Sequence, residues 1–488
     1  MFNHPKQFTA KQKSLLVGLI VLAFVLRLYH LDTQSLWFDE SLSALFASQP
    51  LDIAVQSMLQ EGLQHSPLFY LLLRPFAAGG FSEFSLRFLS VTMGVLTIPL
   101  MAQIGRVMAN NRSGILAATF LAINPFHVWY SQETRMYAML VVAALGAMLF
   151  FARSLQAPNR RNWLGLALFL TIGFNTHHFA FFVPLVQFIF LISTFKQNYP
   201  LLRPWVGVQL LAGLSFIPWM IVILYWGNFY VTSGTRQPPP WYSLAQTFWN
   251  FSIGYTEQVT IFVIVALSLF LFILALGIKS VFRTKDGLLL LLWLAIPPVV
   301  TFLVSFRLPM YMHRYLSLSL PAFLLLIAIG LVNMRRQRIG LIITSLVMCV
   351  MLIGLSRVYY DPGIYYREDW RSLGTYLEKH AGADDVIAPW YYQNLIPLLF
   401  YYHGATPLKP IIVFDTVDLP SLPTQSTSQK LWVIIGHPNN SAHLVGHCQL
   451  FNIDEVGPPP AFKEWRSANQ TRLVNVKGFP CFRVEIYE

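Results

Sequence analysis

The stretch LLVGLIVLAFVLRLYHLDTQSLWFDESLSALFAS, residues 15–48, joins a long apolar run directly to two adjacent acids, Asp39 and Glu40. A helix that spans a bilayer needs about 20 consecutive, predominantly apolar residues. Residues 14–31 come close to that length, and the segment that follows them is polar. The stretch therefore predicts a membrane helix that leads at once into a charged surface segment.

The whole chain has the composition of a membrane protein. Of its 488 residues, 55% are hydrophobic and only 11% are charged, with a mean hydropathy of +0.52. A soluble domain is about one quarter charged, so the composition predicts a mainly α polytopic membrane protein. Apolar runs continue to residue 356, whereas charges are common from Arg357 to Glu488. We therefore predict a membrane domain over residues 1–356 and a soluble domain over residues 357–488.

Eleven apolar runs are candidates for membrane spans. An odd number of spans places the N-terminus and the C-terminal domain on opposite sides of the membrane. The predicted runs are 14–31, 85–104, 113–130, 136–153, 162–176, 178–195, 205–226, 259–278, 287–305, 314–332 and 339–356.

Basic residues are distributed unevenly between the two sides that these spans define. If the N-terminus is cytoplasmic, the cytoplasmic segments carry 16 Lys and Arg residues and a single acid, Asp286. This is the positive-inside pattern, so the net charge of +12 reflects topology and does not indicate nucleic-acid binding. We expect an inner-membrane protein with a cytoplasmic N-terminus and a periplasmic C-terminal domain. The first run lacks a small-residue cleavage site, and we predict that it is retained.

The outer face carries most of the acids and histidines of the membrane domain. Its first loop, about 31–84, contains two short amphipathic segments and then HSPLFYLLLRPFAAGG at 65–80, an apolar segment interrupted by Arg74 and Pro75. We predict that these segments are surface helices over a cavity and that the last one lies in the membrane interface. Ordinary solvation explains an excess of polar residues outside the membrane, and a catalytic surface explains it as well.

Asp39 and Glu40 need separate explanations, because adjacent residues of a helix point about 100° apart. One interpretation is structural, with Asp39 capping SLSALFAS and its charge stabilising the first turn. The other is catalytic, with a general base at the membrane surface that is partly buried beside Trp37 and Phe38. The residues alone leave both interpretations open.

Five motifs in order along the chain resemble those of the GT-C fold glycosyltransferases. The most similar members are the enzymes of glycosyltransferase family 39, among them the protein O-mannosyltransferases. The aminoarabinose transferase of lipid A and the Rgt-like bacterial enzymes are similar as well. The resemblance covers the membrane domain. The motifs are WFDE at 37–40, HSPLFY at 65–70, SQETRMY at 131–137, THH at 176–178 and HRYLSLSLP at 313–321.

The resemblance implies a transfer reaction at the outer face of the membrane. A sugar carried on a polyprenyl phosphate would move, with inversion, to an acceptor hydroxyl or amine. The expected partners are this lipid-linked donor, a lipid, glycan or protein acceptor, and the surrounding membrane lipids. No Gly-rich phosphate loop is found on the cytoplasmic side, which agrees with a donor that is not a nucleotide sugar.

The resemblance also implies roles for particular residues. Asp39 is the expected general base, with Glu40 and Glu133 as further catalytic candidates. The donor phosphate needs cations, and the candidates are Arg135, Arg307, His313 and Arg314. The substrate-binding candidates are His65, Tyr70, Tyr137, His177 and His178. Each of these residues also has a structural interpretation, as a helix cap, an interfacial anchor or a satisfied buried histidine.

A metal ion is not required by this scheme, although a divalent metal is compatible with it. Oxygen and nitrogen ligands would come from Asp39, Glu133, His65 and His177. Where the aminoarabinose transferase has an E-K-P-P-like element, this chain has Gln64, His65, Ser66 and Pro67. This departure weakens the case for metal or phosphate binding by that loop.

The C-terminal domain has an α/β pattern. EDWRSLGTYLEKHAGADD and NLIPLLFYYHGA predict helices, VIAPWYY, IIVFD and LWVIIG predict strands, and VKGFPCFRVEIYE predicts a hairpin. Cys448 and Cys481 both lie in this domain. In an oxidising compartment they are candidates for a disulfide, and the alternative is two buried free thiols.

Two other function classes remain open. A transporter or flippase of lipid-linked glycans would explain the many spans, but it should show an internal repeat or paired broken helices. A polysaccharide ligase or polymerase would also use lipid-linked glycans, but it typically relies on a large late outer loop. The long early loop with its acidic pair favours the glycosyltransferase.

Overall fold

The computed structural model shows a largely helical chain with a small C-terminal sheet. It describes residues 7–60, 66–78, 82–232, 238–256, 259–361, 367–389, 392–409, 412–413, 416–417, 429–436, 460–479 and 482–487.

The secondary-structure elements follow the chain in this order. The α-helices are α1 (Ala10–Leu28), α2 (Phe38–Ser48), α3 (Leu51–Gln60), α4 (Leu68–Ala77), α5 (Glu83–Met108), α6 (Asn111–Ile123), α7 (Pro125–Ser131), α8 (Tyr137–Gln156), α9 (Arg160–Phe174), α10 (Phe182–Ser193), α11 (Phe195–Thr232), α12 (Ser243–Ile253), α13 (Ile261–Val281), α14 (Lys285–Val304), α15 (Leu320–Val332), α16 (Gln337–Tyr360), α17 (Trp370–His380), α18 (Tyr392–Tyr401) and α19 (Pro460–Ala468). The strands are β1 (Val386–Pro389), β2 (Ile412–Val413), β3 (Thr416–Val417), β4 (Leu431–Gly436), β5 (Leu473–Phe479) and β6 (Phe482–Tyr487). Short 3-10 helices cover His178–Phe181, His313–Ser319 and Gln470–Arg472.

Internal contacts divide the chain into two compact units. The first unit contains the apolar helices, and the second contains the sheet. The second unit also includes two pieces of the first outer loop, so the division differs from a single cut after residue 356. The first unit comprises Met1–His30, Gln49–Phe76 and Arg87–Tyr360, and the second comprises Leu31–Ser48, Ala77–Leu86 and Asp361–Glu488.

Seven helices in the described part of the chain are long and apolar enough to cross a membrane. Together they support a multi-pass membrane protein, as the composition predicts. They are Glu83–Met108, Tyr137–Gln156, Phe195–Ile221, Ile261–Val281, Lys285–Val304, His313–Val332 and Gln337–Tyr360.

The other four predicted spans also fall on helices, but these helices are short, divided or carry several charges. The first, α1, carries three basic residues within 19 positions. The run at 113–130 is divided into α6 and α7, and the run at 162–176 is the 15-residue α9. The run at 178–195 combines a 3-10 helix with α10. The eleven runs thus mark helices well, whereas the number of full spans is approximate.

The break between α6 and α7 has a clear local cause. Asn124 adopts an extended conformation at the end of α6, and Pro125 begins α7. The Asn124 side chain accepts a hydrogen bond from the N–H of His127 (3.0 Å) and donates one to the carbonyl of Phe251 (2.8 Å). Asparagine and proline at these two positions favour a new helix start. The prediction of one continuous helix over 113–130 was therefore wrong.

Arg27 satisfies backbone groups that this break leaves open. Its side chain is fully buried in the first unit. It donates hydrogen bonds to the carbonyls of Ala122 (3.1 Å) and Leu121 (3.3 Å), which belong to the last turn of α6. Carbonyls in the last turn of a helix lack partners within the helix, and a cation there interacts favourably with the helix dipole. Arg27, which lies within the first predicted span, is thus an interior residue of the first unit.

The centre of the first unit is α15. All residues of this helix except the last are buried, and none of its residues has a polar side chain. It approaches α13 closely through Gly330 and Gly277. A Cβ atom added to Gly277 would lie 2.1 Å from the carbonyl oxygen of Leu326. Small residues allow this kind of close helix contact in membrane proteins.

The second unit contains a mixed four-stranded sheet in the order β1-β4-β6-β5. Strands β1 and β4 are parallel, and the other pairs are antiparallel. The helices α17 and α18 and the hairpin β5–β6 confirm the predicted α/β pattern, while α19 was not predicted. Cys448 and Cys481 lie outside the described residues. The main core cluster contains Trp370, Leu373, Leu377, Ile387, Leu398, Tyr402, Trp432, Ile434, Val484 and Ile486.

The predicted topology can be tested by cysteine labelling in intact cells. We expect a membrane-impermeant maleimide to label Lys379→Cys, an exposed position in α17, and not Asn159→Cys, an exposed position between α8 and α9. The positive-inside rule is the reason for this expectation. Labelling of the unchanged protein at its own cysteines gives the background. Labelling of Asn159→Cys before permeabilisation would invert the proposed orientation.

Candidate active site

The motif SQETRMY forms a buried, irregular connection between two helices. Helix α7 ends at Ser131 and α8 begins at Tyr137. Between them, Glu133 is 2% exposed and Arg135 is 4% exposed. The side chain of Gln132 anchors this connection by donating hydrogen bonds to the carbonyls of Arg27 (3.1 Å) and Tyr29 (2.7 Å). Buried ionisable residues in the membrane region are expensive and commonly functional.

Arg135 is held by its own backbone and by neighbouring side chains. Its N–H donates to the carbonyl of Glu133 (2.6 Å), and its carbonyl accepts a hydrogen bond from the Ser90 hydroxyl (3.1 Å). Its Nη1 lies 3.5 Å from the hydroxyl of Tyr70. The structure thus brings together two residues, Arg135 and Tyr70, that the sequence assigned separately to phosphate and substrate.

His177 lies beside Arg135 and Arg314. It precedes the 3-10 helix at His178–Phe181, and its Nδ1 accepts a hydrogen bond from the N–H of Phe179 (3.1 Å). An imidazole that accepts at Nδ1 carries its proton on Nε2, which is then a hydrogen-bond donor. The ring is fully buried, and both guanidinium groups act on it electrostatically.

Aromatic rings surround these charged groups. The guanidinium carbon of Arg314 lies 5.6 Å from the ring centre of Tyr137 and 5.7 Å from that of Tyr315, which is cation–π geometry. The ring of His177 lies 4.9 Å from that of Tyr315 and stacks at 4.5 Å on that of His178. These rings help to fix the position of Arg314.

A tyrosine pair extends the group toward Glu133. The hydroxyls of Tyr130 and Tyr255 are 2.5 Å apart, and the charges of Glu133 and Arg314 act on both. We call the whole set the arginine cluster, and it comprises Tyr70, Tyr130, Glu133, Arg135, Tyr137, His177, His178, Tyr255, Arg314 and Tyr315.

Tyr130, Tyr255 and Tyr315 were not among the sequence candidates. Tyr130 directly precedes SQETRMY and Tyr315 lies within HRYLSLSLP, so these motifs were an available signal. Tyr255 follows Gly254, which has φ 79° and ends α12 in a conformation that favours glycine. This turn carries Tyr255 to Tyr130, 125 positions earlier in the chain.

Three sequence candidates are found elsewhere or are not described. His313 accepts or donates a hydrogen bond at Thr247 (3.0 Å), whose hydroxyl also bonds that of Tyr311 (2.6 Å). Arg307 is exposed beyond the end of α14, and no side-chain contact within the described ranges joins it to the arginine cluster. His65 lies outside the described residues.

The acidic pair belongs to the second unit. Helix α2 begins at Phe38, so Trp37 and not Asp39 occupies the capping position before it. Asp39 is half-buried in the first turn. Glu40 is fully buried, and its carboxylate forms an ion pair with Arg367 at 3.1 Å. The two adjacent acids therefore have different surroundings, as their divergent directions on a helix require.

A third carboxyl group, Glu368, lies near this pair. It accepts a hydrogen bond from the indole N–H of Trp370 (2.7 Å). Burial raises the pKa of Glu368 to about 7. The hydrogen bonds from Trp370 and from the Phe38 N–H oppose this rise, and the negative charge of Asp39 adds to it. The sequence offered no sign that Glu368 would lie beside α2.

The candidate metal ligands do not form a metal site in the described part of the chain. No group of three or more His, Cys, Asp or Glu side chains is arranged there to hold a metal ion.

Comparison with known proteins agrees with this architecture. Residues 64–226 match a family model described as dolichyl-phosphate-mannose-protein mannosyltransferase. No curated protein matches the chain significantly. Among solved structures, apo ArnT from Cupriavidus metallidurans matches with a TM-score of 0.63 and 11% identity, covering 98% of each chain. The same enzyme bound to undecaprenyl phosphate gives a TM-score of 0.58 at 10% identity, again with 98% of each chain covered.

A third structure matches mainly over part of its length. The Archaeoglobus fulgidus oligosaccharyltransferase, in complex with Zn and sulfate, gives a TM-score of 0.51 at 11% identity. The match covers 80% of this chain and 62% of the oligosaccharyltransferase. At such low identities these likenesses establish the fold alone, so the chain has the fold of ArnT. The family model matches about one third of the chain, residues 64–226.

The anchoring of α7 can be tested by removing Asn124. We expect Asn124→Ala to destabilise the protein more than Asn110→Ala, which removes an exposed cap from α6. Loss of a cap costs about 1 kcal/mol. Leaving the buried Phe251 carbonyl without its donor adds about 1–3 kcal/mol. Thermal unfolding of both variants in the same detergent measures the difference, and equal losses would show that the bond to Phe251 contributes nothing.

Proposed function

We propose that this enzyme transfers a sugar from a polyprenyl phosphate to an acceptor hydroxyl or amine at the outer face of the membrane. The arginine cluster is the observation that carries the proposal, because it combines two guanidinium groups with a buried imidazole donor. This combination suits an anion with several oxygen atoms. A lipid phosphate is such an anion, and it reaches the protein from within the bilayer.

The leaving group explains why cations are needed. When the bond between the sugar C1 and the phosphate oxygen breaks, the polyprenyl phosphate departs with an additional negative charge. Positively charged donors held in place before the reaction stabilise that charge without reorganising. Arg135 and Arg314 supply the charge, and the Nε2–H of His177 supplies a neutral hydrogen-bond donor. Tyr70 and Tyr137 hold the two guanidinium groups in place through the hydroxyl contact and the ring face.

The acceptor needs a base, and Asp39 fits this role. As the acceptor oxygen or nitrogen forms a bond to C1, it must release a proton, and a carboxylate within hydrogen-bond distance accepts it. Asp39 is half-buried in the first turn of α2. A direct attack opposite the departing phosphate inverts the configuration at C1. Glu133 would orient substrate within the arginine cluster.

The structural relatives support the class of donor. ArnT from Cupriavidus metallidurans has been seen bound to undecaprenyl phosphate, and we extend this lipid class to the present enzyme. A lipid, a glycan and a protein all remain candidates as the acceptor.

Replacing Asp39 tests the base. In nanodiscs, with a panel of polyprenyl-phosphate sugars and an envelope extract as acceptor source, we expect Asp39→Asn to lower turnover by about 10²–10⁴-fold. Asp52→Asn is the matched control, because Asp52 lies in the first turn of the neighbouring surface helix α3 and is exposed. Release of free polyprenyl phosphate measures turnover.

The outcomes separate the competing functions. Loss of turnover in Asp39→Asn, with normal turnover in Asp52→Asn and normal donor binding in both, supports the base. Equal turnover in the unchanged protein and in Asp39→Asn would contradict it. Movement of the intact donor across the bilayer without release of polyprenyl phosphate would favour a flippase.

Replacing the cluster arginines tests the phosphate site. We expect Arg135→Met and Arg314→Met each to lower turnover by about 10²–10³-fold, the size typical of losing one group that stabilises developing charge. Both should also weaken binding of undecaprenyl phosphate. Arg338→Met removes an exposed basic residue elsewhere and is the control. Unchanged undecaprenyl phosphate binding in both cluster variants would rule out this site.

A further inference from the structure

Helix α2 is preceded by a residue whose side chain cannot cap it. Trp37 precedes the first helical residue, Phe38, and an indole has no acceptor for the free N–H groups of a first turn. The N–H of Phe38 instead donates to the carboxyl group of Glu368, which is far away in sequence. A residue of the C-terminal domain thus does what an N-cap residue ordinarily does.

Arg367, the residue directly before Glu368, binds the same turn of α2 through Glu40. Arg367 Nη1 lies 3.1 Å from Glu40 Oε2, with side-chain exposures of 6% and 0%. A buried ion pair has demanding geometry, and removing one partner leaves an uncompensated charge. The Arg367–Glu40 pair therefore fixes the orientation of α2 about its own axis.

The segment before α2 is attached at three further points. The side chain of Gln34 accepts a hydrogen bond from the N–H of Arg367 (2.9 Å). The hydroxyl of Ser35 accepts one from the N–H of Trp370 (3.1 Å). The N–H of Leu36 donates to the hydroxyl of Tyr401 (2.7 Å). Residues 34–40 are thereby held along their length.

These contacts connect residues 34–40 to the hydrophobic core of the second unit through Trp370. Trp370 is 1% exposed and belongs to the apolar cluster that joins α17 to the sheet. A side chain packed in such a core has little freedom to move. The position of α2 is therefore linked to the fold of the C-terminal domain.

We propose that Arg367 and Glu368 are positioning residues for Asp39. These two consecutive residues bind Glu40 and Phe38, which flank Asp39, and so they fix the backbone on both sides of it. The inference rests on the proposed function, in which Asp39 is the general base. It gives the C-terminal domain a part in catalysis besides any part in acceptor choice.

The kinetic test is a comparison of kcat with KM. Because a misplacement of about 1 Å can cost about 10²-fold in rate, we expect Arg367→Met to lower kcat by about 10–10²-fold. The KM for the polyprenyl-phosphate donor found in the panel should stay within about twofold, because the phosphate site is built from other residues. The double variant Glu40→Gln/Arg367→Met removes both charges and should recover part of kcat.

A matched control comes from the same domain. Arg466 forms an ion pair at 2.9 Å with the buried Glu485, away from α2, and Arg483 pairs with the same carboxylate. We expect Arg466→Met to leave kcat unchanged. A fall in kcat in Arg466→Met equal to that in Arg367→Met would mean that general loosening of the domain is responsible, and would overturn the positioning role.

Hydrogen exchange provides a readout that does not depend on turnover. We expect faster exchange of the amides in residues 34–43 in Arg367→Met, with protection of β4 and β6 unchanged. Unchanged exchange in 34–43 would overturn the inference whatever the kinetics. Full turnover by Asp39→Asn would contradict both the role of Asp39 as the base and the positioning role of Arg367 and Glu368. Loss of turnover in Asp39→Asn with normal kcat in Arg367→Met would overturn positioning alone and leave the proposed function intact.

Discussion

The buried guanidinium group of Arg27 is the interaction on which the first unit depends. Helix α6 ends early at Asn124, and in a membrane environment its last carbonyls have no water to bind. Arg27 donates to two of these carbonyls and also contacts Nδ1 of His127 at 2.8 Å. With these groups satisfied, the chain can break, start α7, and then continue through the buried motif SQETRMY. The arginine cluster exists because this irregular segment is stable.

The two units supply opposite kinds of chemistry. The first unit collects cations and hydroxyl groups around Arg135 and Arg314, which suits a departing phosphate. The second unit holds three carboxyl groups near the start of α2. The proposed reaction calls on both kinds, an electrophilic environment for the leaving group and a base for the acceptor.

The acidic pair now has a physical explanation. Glu40 points into the second unit, where Arg367 neutralises it, whereas Asp39 is only half-buried. Glu40 therefore has the structural role that the sequence left open for this turn, and the catalytic role belongs to our proposal for Asp39.

The sequence by itself determined the elements that depend on neighbouring residues. Apolar runs predicted the long helices of the membrane unit in position but not α12, and alternating patterns predicted β1, β4 and the hairpin β5–β6, because both signals are local. Motif order also selected Glu133, Arg135, Tyr137, His177 and Arg314 before their contacts were known. Tertiary structure alone decided the break at Asn124, the burial of Arg27, the bond between Tyr130 and Tyr255, and the pairing of Glu40 with Arg367. The last two contacts join residues 125 and 327 positions apart. No local pattern specifies such partners, since they meet only when the packed helices and the sheet bring them together.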